Sequence, residues 1–77
     1  MNFRQHCRSR GIDIHRDDLK FIKQSLEKIP YSQKRVAVQD YLNEWVEGMK
    51  ETDKSFQKQN SGRFRANSYL NGLIKKT

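Results

Sequence analysis

Residues 32–50, SQKRVAVQDYLNEWVEGMK, decide the fold. Val38, Tyr41, Leu42, Trp45, Val46 and Met49 recur at i, i+3, i+4, i+7, i+8 and i+11, one apolar stripe of a 3.6-residue period. Ser32 stands where an N-cap would satisfy the first orphan N–H groups. The spacing predicts a helix over 33–50, about five turns or roughly 27 Å long. Its other face holds Asp40, Glu44, Glu47 and Glu51, like charges three and four apart that cost about a few tenths of a kcal/mol each. That face reads as an ordinary solvated one, with ion pairing to the basic segments of the same chain as the alternative.

Working outward, Leu19, Ile22, Leu26 and Ile29 fall at i, i+3, i+7 and i+10 and predict a helix over 17–28, started by Asp17 or Asp18 and ended by Pro30. Downstream, residues 51–62 (ETDKSFQKQNSG) are polar and punctuated by Asn60, Ser61 and Gly62, so they read as a connecting loop in which Phe56 tucks a ring against the core. Phe64, Ala66, Tyr69, Leu70, Leu73 and Ile74 then predict a third helix over 61–75, with Lys75 and Lys76 at its C-terminal end, where the helix dipole favours cations. At the start of the chain Phe3 and Cys7 are four apart, and Asn2 and Gly11 would open and close a two-turn helix.

No segment alternates as a strand would. The expected fold class is all-α, a small three-helix bundle with an additional short N-terminal helix. A chain of 77 residues holds one core, so residues 1–77 read as a single helical domain. That core is expected to be Leu19, Ile22, Leu26, Ile29, Val38, Tyr41, Leu42, Trp45, Met49, Tyr69, Leu70 and Leu73. Stability should be modest, and a homodimer or a partner would add to it.

Charge is the next informative feature. Sixteen Lys and Arg against nine Asp and Glu give a net +7, unevenly spread. Residues 1–23 carry +3, residues 24–53 carry −2, and residues 54–77 carry +6 with no acid at all. A localised excess of this kind attracts polyanions first, although cations also keep a small hydrophilic domain soluble.

Several classes drop out. One cysteine forms no intrachain disulfide; residues 1–20 lack the apolar core of a secretory signal; and no stretch approaches the roughly 20 apolar residues of a membrane span. A cytoplasmic protein without a membrane partner is the expectation. His6, Cys7 and His15 are the only soft ligands, too few and too unevenly spaced for structural zinc, and no phosphate-binding or dinucleotide fingerprint is present. The chain therefore reads as a non-enzyme with no catalytic residues, metal or cofactor.

The third predicted helix carries the candidate site. Arg63, Asn67, Asn71 and Lys75 are each four apart and form one polar row, with Arg65 and Ser68 beside it and Lys76 at its end. Arg and Asn make bidentate contacts to guanine and adenine edges, and Lys and Ser suit phosphates. Two arginines in the predicted first turn face the positive end of the helix dipole, a placement that an anionic ligand would relieve. Arg4 and Arg8 share a face near the N-terminus, with Arg10 nearby, and would supplement phosphate neutralisation. A helix-turn-helix is disfavoured, because the helix after the Ile29–Ser32 turn would enter the groove displaying Asp40, Glu44, Glu47 and Glu51.

Gly62-Arg63-Phe64-Arg65-Ala66-Asn67-Ser68-Tyr69-Leu70, after Tyr41-Leu42-x-x-Trp45-x-x-Gly48-Met49, resembles a pattern of small phage and prophage proteins of the replication region. The matching positions are Gly62, Arg63, Ala66, Asn67, Tyr69 and Leu70, and Phe64 stands where a second basic residue is expected. The resemblance implies a mobile-element accessory protein acting on nucleic acid or on replication machinery. The expected function is nucleic-acid binding, DNA ahead of RNA, through Arg63, Arg65, Asn67, Asn71, Lys75 and Lys76, helped by Arg4, Arg8 and Arg10. The alternative is an adaptor or inhibitor whose same basic face meets an acidic surface on a replication, host or defence protein.

Overall fold

The computed structural model describes residues 2–76. It is all-α: α1 (Phe3–Ser9), α2 (Arg16–Leu26), α3 (Tyr31–Lys50), a single 3-10 turn (Ser55–Gln57) and α4 (Lys58–Lys76), with no strand among the described residues.

Local chemistry accounts for each boundary. Asn2 caps α1 reciprocally: its side chain accepts the Gln5 N–H at 2.9 Å, and the Gln5 side chain accepts the Asn2 N–H at 3.1 Å. Gly11, at φ +77, supplies the left-handed residue that turns the chain after α1, as expected. Helix α2 starts one residue before the expected acids. Asp18 lies inside the first turn and accepts the His15 N–H at 2.9 Å. Helix α3 starts at Tyr31 rather than after a Ser32 cap: Pro30 takes the N-cap position, its carbonyl accepts the Gln33 N–H at 2.9 Å, and Ser32 lies exposed in the first turn.

The largest departure from expectation is at 51–62. Helix α4 begins at Lys58 and runs through Asn60, Ser61 and Gly62, so these three residues do not break the chain. Phe56 does not reach the core either; it sits in the 3-10 turn and is 77% exposed.

Helices α3 and α4 pack antiparallel. Gly48 meets Gly62 near the connection, then Glu44 meets Arg65, Tyr41 meets Asn67 and Asp40 meets Tyr69. The glycine pair sets how closely the helices approach. A Cβ on Gly48 would lie 2.6 Å from the Ser61 carbonyl oxygen, and one on Gly62 would lie 2.6 Å from the Trp45 carbonyl oxygen. Gly62 is thus a packing residue, and its missing side chain explains why a helix passes through a segment with turn composition.

The core gathers Cys7, Ile12, Ile14, Ile22, Tyr41, Leu42, Trp45, Ala66 and Leu70. Tyr41 and Trp45 are fully buried, their rings 6.0 Å apart and tilted by 55°. Of the expected core, Ile22, Ile29, Tyr41, Leu42, Trp45 and Leu70 are buried, whereas Leu19, Leu26, Val38, Met49, Tyr69 and Leu73 are only partly so. Ile12 and Ile14 fill the difference from the α1–α2 connection, which has no helical period to betray them. Gln59 ties that connection to the hairpin. Its amide oxygen accepts the Asp13 N–H and the Trp45 Nε1–H, and its nitrogen donates to the Gly11 carbonyl at 2.9 Å.

Candidate nucleic-acid interface

Arg63, the first residue of the expected polar row, points into the molecule. Its Nε donates to Asp18 Oδ1 at 2.8 Å, one terminal nitrogen to Asn60 Oδ1 at 3.1 Å and the other to the Asp13 carbonyl at 3.2 Å. Its guanidinium carbon lies 4.9 Å from the centroid of the Trp45 ring. Asp18 is 5% exposed, so this is a buried carboxylate held by a mostly covered arginine, with the His15 N–H as a further donor.

Arg65 and Asn67 are also engaged. Arg65 pairs with Glu44 at 2.5 Å and with Glu51, and hydrogen bonds to these carboxylates push its pKa up. Asn67 Oδ1 accepts the Tyr41 hydroxyl proton at 2.7 Å, and Tyr69 donates to Asp40 at 3.3 Å. Burial, with the nearby Asp18 charge, pushes the Tyr41 hydroxyl well above the usual tyrosine range; burial first and Asp40 second push Tyr69 up. Glu47 pairs with Lys50. Glu44 and Glu51 thus pair with the basic C-terminal segment, the alternative raised from the sequence, whereas among the described residues Glu47 meets only Lys50 of its own helix and Asp40 only the Tyr69 hydroxyl. The expected placement of Arg63 and Arg65 in the first turn of the helix also needs correction, since α4 begins at Lys58 and carboxylates of α2 and α3 balance both arginines.

Helix geometry explains why the row does not stay on one face. A step of four residues advances about 400°, a drift of about 40° per step, so three steps turn the row by about 120°. The row leaves the core edge at Arg63 and Asn67 and reaches solvent at Asn71 and Lys75. The outward face of α4 is instead Phe64, Ser68, Asn71 and Lys75, at i, i+4, i+7 and i+11, all exposed, with Phe64 at 76%. Lys76 is exposed beside it. No acid lies within 54–77, so this face carries aromatic, amide, hydroxyl and ammonium groups only. Phe64 is the residue of this candidate face that the sequence does not single out. It is one of the apolar residues that predict this helix, yet it sits opposite Ala66 and Leu70 on the helical wheel and faces outward.

At the other end of the chain, Arg4 and Arg8 are exposed and have no carboxylate partner among the described residues, whereas Arg10 donates to Asn43 Oδ1 at 2.8 Å. Ion pairing also redistributes the basic excess. Among the described lysines and arginines only Lys50, Arg63 and Arg65 have carboxylate partners, and His15 lies against Asp13. Of the remaining thirteen cations, nine precede residue 36, and α4 keeps Lys58, Lys75 and Lys76 at its two ends.

No group of three or more potential metal ligands occurs among the described residues. Cys7 is fully buried, and burial pushes its thiol pKa up. Among the described residues no helix is long and apolar enough to cross a membrane. Comparison with protein-family models, with curated proteins and with solved structures finds no match.

Proposed function

We infer that the protein is a non-enzymatic nucleic-acid-binding protein whose contact surface is the outward face of α4, and that single strands suit it better than duplex. One observation carries this reading: a helix face with no acid of its own on which Phe64 is 76% exposed in line with Ser68, Asn71 and Lys75, with Glu51 at the end of α3 lining the surface on its other side. An exposed ring on one line with Ser68, Asn71 and, about 16 Å along the helix, Lys75 can stack on an unpaired base while the cation meets a phosphate farther along the strand. Of the nine residues expected from sequence, Asn71, Lys75 and Lys76 stand on or beside this surface, and Arg4 and Arg8 are accessible reserves of positive charge. Arg63, Arg65 and Asn67 act indirectly, by holding α4 in its orientation on α3. In this reading α2, α3 and α4 form the three-helix bundle, and α1 packs over it.

The resemblance to small phage and prophage replication-region proteins points the same way, toward a cytoplasmic accessory role. All six matching positions, Gly62, Arg63, Ala66, Asn67, Tyr69 and Leu70, touch or face the rest of the fold, so the pattern describes how α4 is seated rather than what it contacts.

Fluorescence anisotropy with a labelled oligo-dT and with a duplex of equal length tests the proposal. The single strand should bind more tightly, with log K falling against log salt at a slope of about −1.5 to −3 for two to four phosphate contacts. Phe64→Ala should weaken binding about tenfold, within the roughly 1–3 kcal/mol range of one base–aromatic stack. Affinity unchanged in Phe64→Ala and indifferent to salt would count decisively against the reading.

A further inference from the structure

A second surface lies away from α4. Phe3 of α1, Leu19, Ile22 and Leu26 of α2 and Val38 of α3 floor a groove of about 420 Å³, and no residue of α4 lines it. Leu19, Leu26 and Val38 belong to apolar stripes that a fully covered core would bury, yet they stay partly open here. The volume is that of a pocket for several large side chains.

The banks of this groove are cationic. Lys23 lines it from α2 and Lys34 from α3, and Glu27 is the one acid in the lining. Arg16 and Lys20 continue the Lys23 row at i−7 and i−3 along the exposed flank of α2, about 10 Å of helix. None of these four cations has a carboxylate partner among the described residues.

We propose that this groove docks an acidic amphipathic helix of a partner protein, its apolar anchors on the floor and its carboxylates against Lys23, Lys34, Lys20 and Arg16. Helix-in-groove recognition needs an apolar trough for residues at i, i+3, i+4 and i+7, with charge complementarity on the banks to set partner choice. Charge selects among the occupants. A second copy of this chain brings the same cationic banks and is repelled. A sugar–phosphate backbone matches the banks but offers nothing to an aliphatic and aromatic floor. A fatty acid matches the floor but has one carboxylate, whereas the cations extend along one bank and appear on the other. This site is independent of the α4 surface.

The probe is a labelled synthetic helix with Leu at i, i+3, i+4 and i+7 and Glu elsewhere, followed by anisotropy on the full chain. Controls are a peptide of the same composition with the Leu spacing scrambled and one with Gln in place of Glu. Saturable binding should weaken about tenfold or more with either control and with the double variant Lys23→Glu/Lys34→Glu, and Glu27→Gln should tighten it. Near physiological salt, where screening acts within about 8 Å, the double variant should change oligo-dT affinity by less than about twofold, and Phe64→Ala should leave peptide affinity unchanged. Equal binding of the scrambled peptide, no saturable binding, or a dimer by light scattering that Lys23→Glu/Lys34→Glu strengthens would each overturn the proposal.

Discussion

At the residue scale, Arg63 is the side chain on which most of the molecule converges, joining α4 to α2, to the α1–α2 connection and to the Trp45 ring. Arg63→Ala would leave Asp18 buried without its cation, and breaking such pairs typically costs about 3–5 kcal/mol. Because Arg63 is partly exposed and Asp18 keeps the His15 N–H, a loss of about 2–4 kcal/mol in chemical denaturation is expected. Arg63→Lys should recover only part of it, since an ammonium reproduces neither the three-way donor pattern nor the flat contact on Trp45. Burial also raises the folded-state pKa values of Cys7 and Tyr41. Their unfolded values are about 8.5 and 10, and above each the unfolded chain releases protons that the folded chain retains. The contribution of these two groups to stability should therefore be constant below about pH 8 and fall above it, first for Cys7 and then for Tyr41, and thermal melts of Cys7→Ala should lack the first part of the decline. None of these roles was legible from composition. Arg63 reads as a free surface cation in sequence because its partners lie 45 and 50 residues away.

At the element scale, the α3–α4 hairpin depends on two glycines whose close approach lets Tyr41, Leu42 and Trp45 of α3 meet Ala66 and Leu70 of α4. Gly62→Ala places a Cβ against the Trp45 backbone and ring, and overpacking of this kind costs about 1–3 kcal/mol. For a chain of this size that lowers the melting temperature by about 4–8 °C per kcal/mol. Gly72→Ala, where a Cβ meets nothing within 4 Å, should instead stabilise α4 by up to about 1 kcal/mol; circular-dichroism melts of the two variants separate these outcomes. Helix α3 was readable because six apolar residues keep a strict period. The start of α4 was not, because Asn60, Ser61 and Gly62 have turn composition and their helical state depends on the close approach to α3. The polar row of α4 leaves a single face for a geometric reason. Spacing by four residues looks like one face over two residues but drifts by a third of a turn over four, so the outer end of the row was correctly exposed and the inner end was not.

At the scale of the whole molecule, the charge gradient of the sequence is not the charge gradient of the surface. Arg63 and Arg65 spend their charge on Asp18, Glu44 and Glu51, which quiets both the basic C-terminal segment and the acidic face of α3. Among the described residues, cations without a carboxylate partner remain concentrated in α1, α2 and the start of α3, while α4 offers an aromatic and amide face with lysines at its ends. The long-range field of a +7 protein brings polyanions in, and local chemistry decides where they rest. The most direct measurement is an amide chemical-shift titration of the ¹⁵N-labelled protein with a short oligo-dT. Perturbations should centre on Phe64, Ser68, Asn71 and Lys75 and leave the α3 residues behind them unmoved. Perturbations confined to α1 and α2, or absent altogether at saturating oligonucleotide, would contradict the assignment of α4 as the nucleic-acid surface.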